Sequence, residues 1–188
     1  MKKLISSVAL IATMALTDVS HAAAAEETDL ARDLVLAFDG FCFQTRSNFA
    51  RTSELLETEA KKKLSVDDLQ RFGGASDPNT KVIAGWVASS LAGNPVVVSL
   101  SEGIYLGASV KMCSVVGNFA RGKLVAEYVK RLVGSAYPHT EQQGFQTFNM
   151  FKSRSPADMF YVVHVYGTVK ETEMFSSIGI MVPSDQLD

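Results

Sequence analysis

Behind Met1-Lys2-Lys3, the residues from Leu4 to Leu16 (LISSVALIATMAL) carry no charge, and small residues follow at Ser20-His21-Ala22 and Ala22-Ala23-Ala24. A positive start, a short apolar middle and a small-x-small exit are the three parts of a secretory signal peptide. The run is too short for a bilayer, which takes ~20 apolar residues. Asp18 just beyond it also argues against a stop-transfer helix. The sequence therefore predicts a signal peptide over residues 1–22, cut between 22 and 25, and a single globular domain over 26–188. The expected location is periplasmic or secreted. No cysteine near the cut invites a lipid, and no integral membrane segment is expected after signal removal. Such a chain folds in an oxidising compartment without a nucleotide supply.

That compartment bears on Cys42 and Cys113. Exported thiols usually end as disulfides, and this pair would close a loop of about 70 residues, worth roughly 4 kcal/mol in the chain-entropy model. Two buried free thiols, or one reactive cysteine paired with His139 or His164, are the competing readings. Two cysteines and three histidines are too few for a Cys-rich zinc module, so no metal is expected. With 47 % hydrophobic residues, 20 % charged residues and a net charge of −2, the chain has an ordinary globular composition. Weak acidity removes any electrostatic pull toward nucleic acid, so no nucleic-acid partner is expected.

Spacing of three and four at Leu30, Leu34, Ala37, Phe38 and Phe41 predicts a first helix, capped by Thr28 or Asp29. A second is expected over 47–63, supported by Glu57–Lys61 and Glu59–Lys63 pairs. Ser65 and Asp68 resemble a capping arrangement for a short helix ending at Gly73-Gly74. Asp77-Pro78 could open another, with Val82, Ile83, Trp86, Val87 and Leu91 as its stripe; Gly85 and Gly93 leave an extended reading open. From Pro95 to Ser101 the chain is β-branched, Glu102-Gly103 signals a turn, and alternation at Leu106, Ala108, Val110 and Met112 reads as the return strand. Asn118 then caps a helix bearing Ala120, Leu124, Tyr128 and Leu132 on one face and ending at Gly134. Strands are expected over 145–152, 158–166 and 174–182. The predicted fold class is α+β: N-terminal helices followed by β-β-α-β-β-β, a two-layer domain around a mostly antiparallel five-stranded sheet.

Gly117 to Lys123 (GNFARGK) fits the phosphate-loop spacing between a strand and a helix. Leu124 stands where the magnesium-holding hydroxyl belongs, so a turn glycine and a solvated lysine explain it better. There is no G-x-S-x-G elbow and no S-x-x-K. Adjacent Asp67 and Asp68 point apart on a helix and are read as first-turn charges. No cofactor is implied. His164 is in strand phase with Phe160, Val162 and Tyr166, as a packed sheet histidine would be. His139, after Pro138, is expected in an exposed loop.

The C-terminal strands are apolar in both phases, through Phe145, Phe148, Phe151, Phe160 and Tyr161. Either the N-terminal helices cover the second sheet face, the favoured reading, or that face meets a ligand or partner. The candidate binding surface is Tyr161, Val163 and Val165, with His164 beside them.

The segment from Trp86 to about Leu132 resembles a loosely defined family of small exported proteobacterial proteins of unknown function. The shared features are an early helix with a cysteine (Phe38 to Phe43), a tryptophan, a VVVSL strand, and a CSVVG strand leading into an amphipathic helix. The resemblance implies an exported single domain with paired cysteines and transfers no catalytic residue. Together these readings lead to a non-catalytic binding or interaction module whose partner is an envelope protein or a small ligand. The rival is a small periplasmic hydrolase using His164 with Tyr166 or a nearby serine.

Overall fold

The computed structural model describes residues 29–65, 67–69, 80–118, 122–135, 138–153, 159–170 and 173–186. The signal-peptide reading, Thr28 as a cap, the Gly73-Gly74 helix end and the Asp77-Pro78 helix start lie outside the described residues.

Helix α1 covers residues 29–38 and buries Ala31, Leu34, Val35, Ala37 and Phe38. It runs directly into a π-helical turn, Asp39–Phe43, whose Gln44 N–H donates to the Asp39 carbonyl at 3.0 Å. The extra residue in that turn rephases the helix surface. Cys42 is thereby fully buried and Phe41 only half-buried, reversing the order that an unbroken helical stripe predicts. Helix α2, Phe49–Glu59, is capped by the Asn48 side chain, which accepts from the Arg51 amide at 3.1 Å. It stops four residues short of the expected end. Lys61 N–H donates to the Val87 carbonyl and Leu64 N–H to the Gly85 carbonyl, so the backbone leaves the helix to pair with a strand. The expected Glu59–Lys63 pair does not form; Lys63 reaches Glu57 instead, at 2.6 Å. The Ser65–Asp68 capping arrangement is present: Ser65 Oγ donates to Asp68 Oδ2 at 2.9 Å and accepts from the Asp68 amide at 3.1 Å.

The sheet corrects the sequence reading most. Among the described residues it has eight antiparallel strands, not five: β1 (Lys62–Lys63), β2 (Thr80–Ser89), β3 (Pro95–Tyr105), β4 (Ala108–Asn118), β5 (His139–Gln143), β6 (Gln146–Lys152), β7 (Tyr161–Lys170) and β8 (Glu173–Pro183). Their order is β1-β2-β3-β4-β8-β7-β6-β5, so two meanders meet where β4 pairs with β8. Helix α3, Gly122–Val133, carries the chain from β4 out to the far edge at β5. Three strands escaped the sequence. β1 is two lysines, too short and charged to show a pattern. Val82, Ile83, Trp86 and Val87 in β2 fit helical spacing, with Gly85 and Gly93 leaving the extended form open. Pairing with β3 makes the extended form win, and Trp86 and Ala88 point into the core while Val87 points away. β5, HTEQQ, is polar and exposed throughout and shows no alternation to detect.

The β3–β4 turn lies at Leu106-Gly107, four residues beyond the expected Glu102-Gly103. Both turn residues have positive φ, 51° and 81°, the geometry a tight two-residue hairpin needs. α3 ends at Gly134 as expected, at φ 68°. Its buried centre is Val125 and Val129, with Leu124, Tyr128 and Leu132 alongside.

A single cluster unites the helices with one strand phase: Trp86, Ala88, Val96, Val98, Leu100, Cys113, Val115, Phe151, Val162, Ile178, Ile180 and Val182. Helices α1, α2 and α3 therefore lie on the same face of the sheet. Cys42 and Cys113 form a disulfide across this layer, with Cα atoms 5.4 Å apart and a sequence separation of 71. Asp33 of α1 adds a polar latch, accepting from the Ala92 amide at 3.0 Å and the Asn94 side chain at 2.9 Å in the β2–β3 turn. Burial pushes its carboxyl up, but hydrogen bonds from Ser90, Asn94 and Ala92 outweigh this and hold it below the usual value. Converting both cysteines to serine is expected to cost roughly 4 kcal/mol in urea unfolding, given the loop length. An unchanged midpoint would mean that the helical layer holds its place without the bond.

Candidate functional site

Strand alternation decides which β7 side chains can act together. Val162 and His164 point into the helix-covered core, whereas Tyr161, Val163 and Val165 point to the other face. The candidate surface is thus divided: three of its residues share the uncovered face and His164 lies opposite. The favoured reading, that the N-terminal helices cover this second face, is corrected by the single-sided helical layer. Among the described residues, only the β2 end is covered, where Leu64 and Leu69 sit over Gly85.

The uncovered face is concave. Tyr105 on β3 donates its hydroxyl proton to Met150 Sδ on β6 at 3.1 Å, and its ring meets that of Tyr161 on β7 edge to face at 5.5 Å. From β3 to β6 is four strand steps, about 19 Å in a flat sheet at the usual spacing. Two side chains cannot bridge that distance, so the β3–β4 hairpin must curl over the open face. The curl encloses a trough of about 290 Å³ lined by Tyr105, His139, Glu141, Gln143, Phe148, Met150 and Val163. The register accounts for this lining. His139 stands opposite Met150, Glu141 opposite Phe148, and Met150 opposite Val163. An apolar floor from β6 and β7 thus meets a polar rim from edge strand β5, the usual composition of a small-molecule site.

Of the candidate surface residues, Val163 is in the floor, Tyr161 packs on the Tyr105 wall, and Val165 continues the same face beside Phe148. Tyr105, Met150, Glu141 and Gln143 were not singled out from sequence, whereas Phe148 belongs to the C-terminal aromatic set named there. The misplaced turn hid Tyr105, and the absence of alternation hid β5. The even-numbered positions of β6 offered the one available signal.

His164 is fully buried. Its Nε2 lies 2.9 Å from Ser176 Oγ, its Nδ1 3.4 Å from Asn149 Nδ2, and its ring stacks on Tyr166 at 5.2 Å. Thr140 Oγ1 donates to Asn149 Oδ1 at 2.9 Å, which turns the Asn149 amide nitrogen toward the imidazole. Nδ1 then accepts and Nε2–H donates to Ser176. That direction is the reverse of the one a general base needs to activate a serine. Burial drives the His164 pKa down to about 3.

Cys42 and Cys113, joined to each other, offer no thiol nucleophile. Both glycines of the GNFARGK stretch are packing glycines. A Cβ on Gly117 would meet Leu34 at 3.0 Å, and one on Gly122 would overlap the Tyr166 ring. Among the described residues, no group of three or more His, Cys, Asp or Glu could hold a metal, and no helix is long and apolar enough to cross a membrane. No family model, curated protein or solved structure matches the chain.

The buried imidazole gives a signed pH dependence. Its folded pKa is depressed from 6.5, so below pH 6.5 the unfolded chain takes up a proton that the folded chain refuses. Stability should fall as pH drops from 6.5 toward 3, by about 2 kcal/mol at pH 5 from this group alone. Urea unfolding of wild type and His164→Gln at pH 7.5 and pH 5 measures the difference. An equally steep loss in both proteins would assign the acid sensitivity elsewhere.

Proposed function

We propose that the protein is an exported, periplasmic or secreted, non-catalytic binding module that holds a small, largely apolar molecule in the trough of its concave sheet face. The observation that carries this reading is the contact of Tyr105 with Met150 and Tyr161. It closes a wall over apolar side chains that the helices leave uncovered. Val163, Phe148 and Met150 would meet the body of the ligand, and His139, Glu141 and Gln143 would meet its polar end. The Cys42–Cys113 bond and the leader-like start of the sequence support export. The resemblance to small exported proteobacterial proteins fits the same picture.

A hydrolase centred on His164 is the second reading. Ser176 and Tyr166 supply side chains that such chemistry uses. Full burial and the donor direction of Nε2 count against it.

The binding reading is tested with N-phenyl-1-naphthylamine, a neutral probe whose emission rises in an apolar site. The folded wild type should bind it saturably. Val163→Arg, which places a charge on the floor, should weaken binding by at least about tenfold while circular dichroism stays unchanged. If Val163→Arg alters the fold, Met150→Ala replaces it and should shift affinity without charge. Equal emission from wild type and a correctly folded variant would overturn the trough as the binding site.

A further inference from the structure

Resting on the reading of the trough as a ligand site, we infer that its preferred ligand class is a small organic cation with an apolar body, an amine or quaternary ammonium. Among the described residues, Glu141 is the one carboxylate in the lining, and no lysine or arginine lines it. In the β5–β6 register Glu141 stands directly opposite Phe148 on the same face. Side chains so paired leave their Cβ atoms ~5 Å apart, so a cation bound to the carboxylate lies within reach of the Phe148 ring. An aromatic ring attracts a cation within about 6 Å of its centroid, and Tyr105 supplies a second ring on the opposite wall. Met150, already accepting from the Tyr105 hydroxyl, adds a polarisable sulfur to the floor.

The carboxylate is positioned by the protein. Gln143 Nε2 donates to Glu141 Oε1 at 3.0 Å from the next position on the same face of β5, leaving the second oxygen for a ligand. Among the described residues Glu141 has no ion-pair partner. Lys152 shares this face of β6 but stands opposite Tyr161, beyond the lining. An anionic head would face Glu141 with no lysine or arginine among the described lining residues to offset it, and a neutral head would forgo both the ion pair and the ring attraction.

The test uses three probes with matched aromatic bodies: benzyltrimethylammonium, 3-phenylpropan-1-ol and 3-phenylpropionate, titrated into the full mature chain by NMR. The cation should bind tightest, about tenfold above the anion, as one exposed ion pair plus one cation–π contact predicts. Glu141→Gln should remove most of that preference and leave the alcohol's affinity unchanged. Glu127→Gln on the exposed side of α3, away from the trough, should change nothing. Equal affinity for all three probes, or preference for the anion, would overturn the cation assignment alone, since saturable N-phenyl-1-naphthylamine binding would still stand. Failure of all three probes together with N-phenyl-1-naphthylamine would overturn the trough as well.

Discussion

The bond between Cys42 and Cys113 links the two parts of the molecule that define its layers. Cys42 sits in the π-helical turn that closes α1, and Cys113 lies in β4, the strand through which both meanders join. Around this point Phe38, Leu100, Val115, Ile178 and Ile180 belong to one buried cluster. Ser47, just past the turn, donates to the Ile180 carbonyl at 3.0 Å and fastens the same helical segment to β8. The helical layer is therefore anchored at the seam of the sheet, so one face is committed to packing and the other is left to water, ligand or partner.

Each half of the chain repeats one topological plan: helix first, then a four-stranded meander that ends at the centre. Pairing of β4 with β8 over nine residue pairs, from Val110–Pro183 to Asn118–Phe175, makes one sheet of the two meanders. A sheet this wide cannot stay flat, because strand twist accumulates across it. Here the accumulated twist brings the β3–β4 hairpin over β6 and β7. Tyr105 thereby becomes a wall for residues four strands away. Two polar groupings of the C-terminal half end up with opposite characters. Thr140, Asn149, His164 and Ser176 satisfy one another, with all but Thr140 buried. His139, Glu141 and Gln143, on the alternate positions of β5, face the open trough.

Much of the local structure was legible. The first helix, the Ser65–Asp68 cap, the Gly134 stop and the three C-terminal strands follow from spacing and capping chemistry, which act within a few residues. Errors cluster where a partner strand decides. Lys62 and Lys63 leave a helix because Val87 and Trp86 offer a strand edge. Val82 to Trp86 extends because β3 lies alongside. His139 to Gln143 is a strand only because Gln146 to Met150 folds back on it. In each case a strand outside the run itself decides, and the polar β5 has no hydrophobic rhythm of its own.

From the residues alone came the expectation of an oxidising destination, a cysteine pair expected to join, and the strand phase that puts Tyr161, Val163 and Val165 together. Periodicity and cysteine arithmetic need only the order of residues. Which face the helices would cover, how far the sheet would curl, and that Tyr105, Glu141 and Phe148 would surround one hollow depend on register and twist summed over strands far apart in the chain. Those quantities exist only once the sheet has closed on its central pair.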